Sequence, residues 1–196
     1  MGQTTLRDLM ALPTSPAPLS DSALIMIDCQ NTYTRGVMEL EGVQDALEVG
    51  AELLDRARGL GVPVLHIMHD AGEGSPYDVN AEIGQIAGKV APRDGESVIV
   101  KNYPNSFVGT DLDEQLKALG KTNLVVAGFM THMCVNSTTR GAFNLGYSPT
   151  VVASATATRS LPGAGGVAAA ALQAASLAAI GDLFGLVVAD VAAIPE

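Results

Sequence analysis

The sequence predicts an α/β chain: a three-layer α/β/α sandwich around a mostly parallel, six-stranded Rossmann-like sheet. Three observations carry this. Short apolar runs of strand length alternate with helix-period segments along most of the chain. The runs are continuously apolar rather than alternating, which fits strands buried on both faces. Helix stops of Gly or Gly-then-Pro fall between the two kinds of segment. Right-handed crossovers follow from this order.

In chain order, residues 1–21 are rich in Pro, Ser and Thr and read as a loose N-terminal arm or one packed on a neighbouring subunit. The remainder, 22–196, reads as one domain. ALIMI (23–27) is the first strand. QDALEVGAELLDRARGL (44–60) is a helix with Leu47, Gly50, Leu54 and Ala57 on one face, stopped by Gly61 and Pro63. VPVLHI (62–67) and SVIV (97–100) are the second and third strands. LDEQLKALG (112–120) is a short helix, and NLVVAG (123–128) the fourth strand. CVNSTTRGAFNLG (134–146) is a helix closed by Gly146. TVVAS (150–154), an Ala-rich helix over 166–181 and GLVVAD (185–190) complete the pattern.

Composition narrows the function classes. Among 196 residues, 47% are hydrophobic and 16% charged, which excludes a disordered chain. The net charge of −10 repels phosphates and anionic lipid, so neither nucleic acid nor a membrane surface is an expected partner. The most apolar stretch, Val167–Ile180, has 14 residues, short of the roughly 20 that span a bilayer. The first 20 residues lack the charged start and apolar run of a signal peptide. Two cysteines, Cys29 and Cys134, make no disulfide framework and suit a reducing cytosol. A cytoplasmic protein is expected.

In an open α/β sheet, sites form beyond the carboxyl ends of the strands. Asp28 follows the first strand, Lys101 the third, and Cys134 opens the helix after the fourth. An acid, a cation and a thiol at one edge point to nucleophilic catalysis. A free thiol, with a pKa of about 8.5, is mostly protonated at neutral pH. The helix N-terminus and the Lys101 ammonium would favour the thiolate. Asp28 would take the thiol proton and return it to a leaving amine. Backbone N–H groups in the Met130–Cys134 turn would receive an oxyanion. Each residue alone has a plainer reading: a core thiol, a turn acid, an edge charge. Their common edge favours the chemical one. Cys29 should face away from Asp28 and is read as structural.

No metal or cofactor is expected. His66 and His69 are three apart, and on one strand that spacing points them to opposite faces. There is no H-E-x-x-H and no CxxC. The GAGG at 163–166 lacks the context of a dinucleotide fingerprint, and no P-loop is present.

ALIMIDCQNTY (23–33), KNYPNSFVGTDLDEQLKALG (101–120) and VVAGFMTHMCVNSTTRGAFNLGY (125–147) resemble the isochorismatase-like cysteine hydrolase superfamily. The most specific piece is G-x-x-T-x-x-C-V, here Gly128, Thr131, Cys134 and Val135. The resemblance implies Asp28 as general base and acid, Lys101 as support for the thiolate and Cys134 as the nucleophile of an acyl- or carbamoyl-thioester. It implies a cis Phe129–Met130 bond, with an oxyanion hole from the N–H groups of Met130 and Cys134. The segment HIMHDAGEGSPYD (66–78) lacks the metal ligands of the family's nicotinamidases. Members that hydrolyse the vinyl ether of isochorismate lack the nucleophilic Cys. The resemblance therefore implies cleavage of a C–N bond in a small amide, lactam or carbamoyl compound. Two segments look most like streptothricin-hydrolase-type members, which implies a lactam substrate. A vinyl-ether hydrolase and a catalytically silent binding module are the alternatives. Expected pocket residues are Gln30, Tyr33, His69, Tyr103, Phe107, Thr131 and His132, all near strand ends. The family forms oligomers, and the Ala-rich helix and the arm would supply the interface of a dimer or tetramer.

Overall fold

The computed structural model describes residues 4–163 and 165–196. Six strands form one sheet: β1 (Ser22–Ile27), β2 (Val64–His69), β3 (Ser97–Lys101), β4 (Asn123–Phe129), β5 (Ser148–Ala157) and β6 (Leu186–Val188). Their order is β3-β2-β1-β4-β5-β6, and every neighbouring pair is parallel. The winding direction reverses between β1 and β4. Crevices for ligands open at such a reversal, beyond the strand carboxyl ends.

The helices are α1 (Leu6–Leu9), α2 (Val43–Gly59), α3 (Leu112–Ala118), α4 (Asn136–Asn144) and α5 (Ala169–Ala179). β1 shows why its run is apolar at every position. Leu24 and Met26 pack into one cluster with Leu47 and Leu54 of α2. Ala23, Ile25 and Ile27 pack into a second with Leu112 and Leu116 of α3 and Ala142 of α4. Successive side chains point to opposite faces, and both faces are covered. Each such Leu or Ile contributes about 1.5–3 kcal/mol by its burial. All four periodic positions of α2, Leu47, Gly50, Leu54 and Ala57, are buried. Gly61, at φ +67°, and Pro63 end that helix region.

Several boundaries differ from the sequence expectation. β2 starts after Pro63 and runs on to His69, in register with Lys101 of β3. β5 extends to Ala157: its register shifts opposite Val126–Gly128, and Thr156 and Ala157 then pair with Gly128 and Phe129. Before α4, residues Thr131–Val135 form a wider π-helical turn, and another spans Ile180–Phe184 after α5.

The arm is not loose over its described residues. Thr5 and Asp8 form a reciprocal capping box on α1. The Leu6 N–H donates to Asp182 Oδ1, and Arg7 Nη1 to the Leu183 carbonyl. Leu19 is fully buried, and its N–H donates to the Pro195 carbonyl. The arm therefore docks on its own chain, satisfying polar groups that a free segment would leave to water. Residues 1–3 of the arm, and residue 164 of the GAGG segment, lie outside the described residues.

Candidate active site

Lys101 ends β3 with its side chain fully buried. Its Nζ lies 2.8 Å from Asp28 Oδ2, 3.2 Å from His69 Nδ1 and 3.4 Å from Cys134 Sγ. An ammonium has three donors, and here each meets one acceptor. Residues 73 and 33 positions distant in sequence from Lys101 thus meet at one atom. The sheet order explains how. β2 lies between β3 and β1, so Lys101 reaches past His69 to Asp28, and Cys134 arrives from the loop after β4.

Local backbone sets these positions. Asp28 has φ +48°, a left-handed conformation that Asp tolerates better than most residues. Its N–H donates to the Ile67 carbonyl, and its carbonyl accepts from the Gln30 N–H. Gly128 has φ +114°, and a Cβ there would sit 1.9 Å from the Ile27 carbonyl oxygen. Only glycine permits that approach of β4 to the end of β1. The Phe129–Met130 peptide bond that follows is cis. The Met130 carbonyl accepts from the N–H groups of Met133 and Val135, which fixes the turn carrying Cys134.

Burial and charge decide the protonation states. Burial pushes the Asp28 carboxyl up from its usual range, and the Lys101 ammonium opposes this. The Cys134 thiol is pushed up to about 12, by burial first and then by the Asp28 charge, with Lys101 pulling it down. Lys101 favours the thiolate as expected, and desolvation outweighs it, so the net direction is upward. Asp28 Oδ1 has no hydrogen-bond partner among the described residues. Burial and the Lys101 charge hold the His69 imidazole below its usual pKa. Its Nδ1 must accept from Lys101, so the ring hydrogen sits on Nε2.

The expected pocket residues divide. His69 is in the cluster, its ring edge-on to Tyr77 at 5.2 Å. His132 lies two residues before Cys134, with Nδ1 2.6 Å from Thr158 Oγ1. Tyr33 is buried edge-on between Tyr77 and Phe129, in the core on the α2 side. The Gln30 amide is bonded inside the protein. Nε2 donates to the His69 and Gly84 carbonyls, and Oε1 accepts from the His69 N–H. It ties the ends of β1 and β2 together. Thr131 is likewise committed, donating to the Ala157 carbonyl. Phe107 stacks on Tyr147, against the α3–α4 layer. Tyr103 is 58% exposed. Cys29 is buried in the α2-side core, where burial pushes its thiol up. His66 and His69 do face opposite ways. His66 meets Glu96, which Arg58 also holds through two bonds. No group of three metal-ligating side chains occurs among the described residues.

One neighbour of His69 has no signal in the sequence: Tyr77, in the loop after β2.

A doubly wound parallel sheet that brings a buried thiol, acid and ammonium together at its reversal point is the architecture of an α/β enzyme. Residues 22–189 match the isochorismatase domain, and the chain belongs to the isochorismatase family of hydrolases. It is similar to the crystal structure of an isochorismatase from Pseudomonas putida KT2440. That likeness has a TM-score of 0.95 and 38% identity, covering 98% of this chain and all of the other. It is 32% identical to the secreted isochorismatase effector Isc1 of Verticillium dahliae, over 95% of this chain and 97% of that one. It is 30% identical to a streptothricin hydrolase of Streptomyces noursei, over 81% of this chain and 63% of that one. A ureidoacrylate amidohydrolase of Stutzerimonas stutzeri is also 30% identical, over 79% of each chain.

Proposed function

We propose that this protein is a cysteine hydrolase that cleaves the C–N bond of a small amide, lactam or carbamoyl compound through a thioester. The observation that carries the reading is one Lys101 Nζ bonded at once to Asp28 Oδ2 and Cys134 Sγ. The amide-hydrolysing activity in the name of one relative agrees with it.

Asp28 takes the Cys134 proton as Sγ attacks the carbonyl carbon. Burial raises the Asp28 carboxyl, which makes it a stronger base than a free carboxylate. Lys101 stabilises the sulfur anion as it forms. The oxyanion of the tetrahedral intermediate is received by the N–H groups of Met130 and Cys134. As the intermediate collapses, Asp28 returns the proton to the nitrogen, the C–N bond breaks and the amine leaves. Water then attacks the thioester with Asp28 as base, the carbon–sulfur bond breaks, and acid and thiol are released. The two free cysteines suit a reducing compartment, and the enzyme is proposed to act in the cytoplasm.

The test is wild type against Cys134→Ser with nicotinamide, maleamate, an N-carbamoyl amino acid, isochorismate and a streptothricin-type lactam. Mass spectrometry reads products and protein adducts. C–N hydrolysis by wild type, reduced at least about a thousandfold in the variant, is expected. Isochorismate turnover by wild type and Cys134→Ala alike would establish vinyl-ether chemistry instead. Ordinary thiol reactivity at Cys134 with no turnover would favour a silent binding module. The pH profile is a second check. Catalysis needs ionised Asp28, so kcat/KM rises with pH through its pKa. Because that pKa is raised, the acid limb lies above the usual 3.8.

A further inference from the structure

Lys101 carries three N–H donors into a fully buried place, and each needs an acceptor. Two of the acceptors, Asp28 Oδ2 at 2.8 Å and Cys134 Sγ at 3.4 Å, belong to the proposed proton transfer. The third, His69 Nδ1 at 3.2 Å, has no part in it. Its place is nonetheless closely determined. His69 and Lys101 are direct partners in the parallel register of β2 and β3, so their side chains leave the sheet on one face. The Asp70 N–H donates to the Lys101 carbonyl at 2.9 Å, and Asn102 Nδ2 to the Asp70 carbonyl at 2.9 Å, which carries the pairing past both side chains. From the β1 side, the Gln30 amide accepts from the His69 N–H and donates to the His69 carbonyl, both at 2.9 Å. The Gln30 N–H donates in turn to the Asp28 carbonyl at 2.8 Å. The same backbone thus ties the imidazole to both members of the ion pair.

The chemistry of this third acceptor matters as much as its place. Lys101 faces the ring from β3, Asp28 from β1, Asp70 from the next residue and Tyr77 from the loop after β2. Burial and the Lys101 charge hold the imidazole below its usual pKa, and the two carboxylates do not reverse this, so at neutral pH Nδ1 keeps its lone pair. A buried N–H without an acceptor is costly. A carboxylate in this place would cancel the charge that a sulfur anion needs. The neutral ring satisfies the hydrogen and leaves the positive charge to Asp28 and Cys134. Without it, Nζ would turn toward Asp28, the nearer and charged partner, and away from sulfur.

We propose that His69 is a positioning residue: an uncharged third acceptor that holds the Lys101 ammonium on Cys134 Sγ and so stabilises the thiolate at one remove. This rests on the cysteine hydrolase reading and adds to it a residue that acts through Lys101 rather than on the substrate.

Three variants test it. His69→Asn offers a neutral oxygen in place of Nδ1, His69→Asp a charged one, and His69→Leu none. The first readout needs no turnover. Iodoacetamide alkylates Cys134 with loss of iodide, rates are taken over a series of pH values, and peptide mapping separates Cys134 from Cys29. At a given pH the rate should fall at least about tenfold in His69→Leu and His69→Asp, which is one unit of thiol pKa, and stay within about threefold of wild type in His69→Asn. Thermal unfolding confirms that the variants compared are folded, and His69→Asn against His69→Asp decides the matter if His69→Leu is not. A histidine that only fills space predicts no difference between those two, so equal rates in them overturn the proposal. The second readout is kcat and KM for whichever C–N compound wild type hydrolyses. In His69→Asp, kcat should fall with KM little changed, and a rise in KM alone would make His69 a substrate contact and overturn the proposal. The expected order of alkylation rates in a protein that hydrolyses no C–N compound would keep the positioning role and refute the reaction.

Discussion

Lys101 and Asp28 are a buried ion pair whose members came out of water together. Each charge is tolerated because the other is present, and removing one leaves a stranded ion. Lys101→Met should therefore cost about 3–5 kcal/mol of folding stability by denaturant unfolding. The double variant Asp28→Asn with Lys101→Met should regain much of that loss while remaining inactive. A double variant no more stable than the single one would show that the lysine stabilises through something other than the pair. Gly128 is constrained just as tightly by shape. A methyl at its α-carbon meets the Ile27 carbonyl at 1.9 Å in a backbone conformation unfavourable to any side chain. Gly128→Ala should cost more than about 4 kcal/mol, the range of severe core disruptions. A melting temperature within a few degrees of wild type would contradict this.

At the scale of elements, the first histidine of β2 serves structure on the face away from the site. His66, Arg58 and the Arg93 N–H converge on Glu96, whose pKa falls to about 2 from the usual 4.5, chiefly through its bonds to Arg58. A depressed carboxyl adds stability above its unfolded pKa and loses it as pH falls through the folded one. The loss should run from about pH 4.5 down to about 2. In Glu96→Gln, stability should be lower at neutral pH by about 1–3 kcal/mol and flatter across that window. Thermal unfolding at a series of pH values checks both. The elements also show what the sequence made legible. Strands with unbroken apolar runs, such as β1, were plain because both faces are buried. The far half of β5, Ser154 to Ala157, is small and polar, and only its pairing with Gly128 and Phe129 makes it a strand. The π-helical turn before α4 has no periodicity of its own to detect. The meeting of Asp28, Lys101 and Cys134 was legible because the ends of β1, β3 and β4 fall within a residue of their expected places. The bonds of Gln30 to the Gly84 and His69 carbonyls were not legible, because they are distant contacts that local sequence does not encode.

At the scale of the molecule, α5 presents Ala170, Ala171, Ala174, Ala175 and Ala178 to solvent, with no charge among them. Soluble surfaces seldom leave such a face bare. We propose that it meets a second copy of this chain in a dimer or tetramer. Ala175→Glu should shift the sedimentation profile toward monomer, whereas a monomeric wild type would refute the interface. Among the described residues no helix is long and apolar enough to cross a membrane.

The convergence of four strand ends on one ammonium has a consequence for how the protein reaches its working state. His69, Lys101, Asp28 and Cys134 are brought together by parallel pairings among β3, β2, β1 and β4, and no contiguous stretch of chain contains the set. Parallel pairings close long loops and are slow to form. Catalytic competence is then an all-or-none property of the assembled sheet. During renaturation, helical signal should return ahead of turnover, and turnover should appear only as the protection of β1 and β4 amides from exchange is complete.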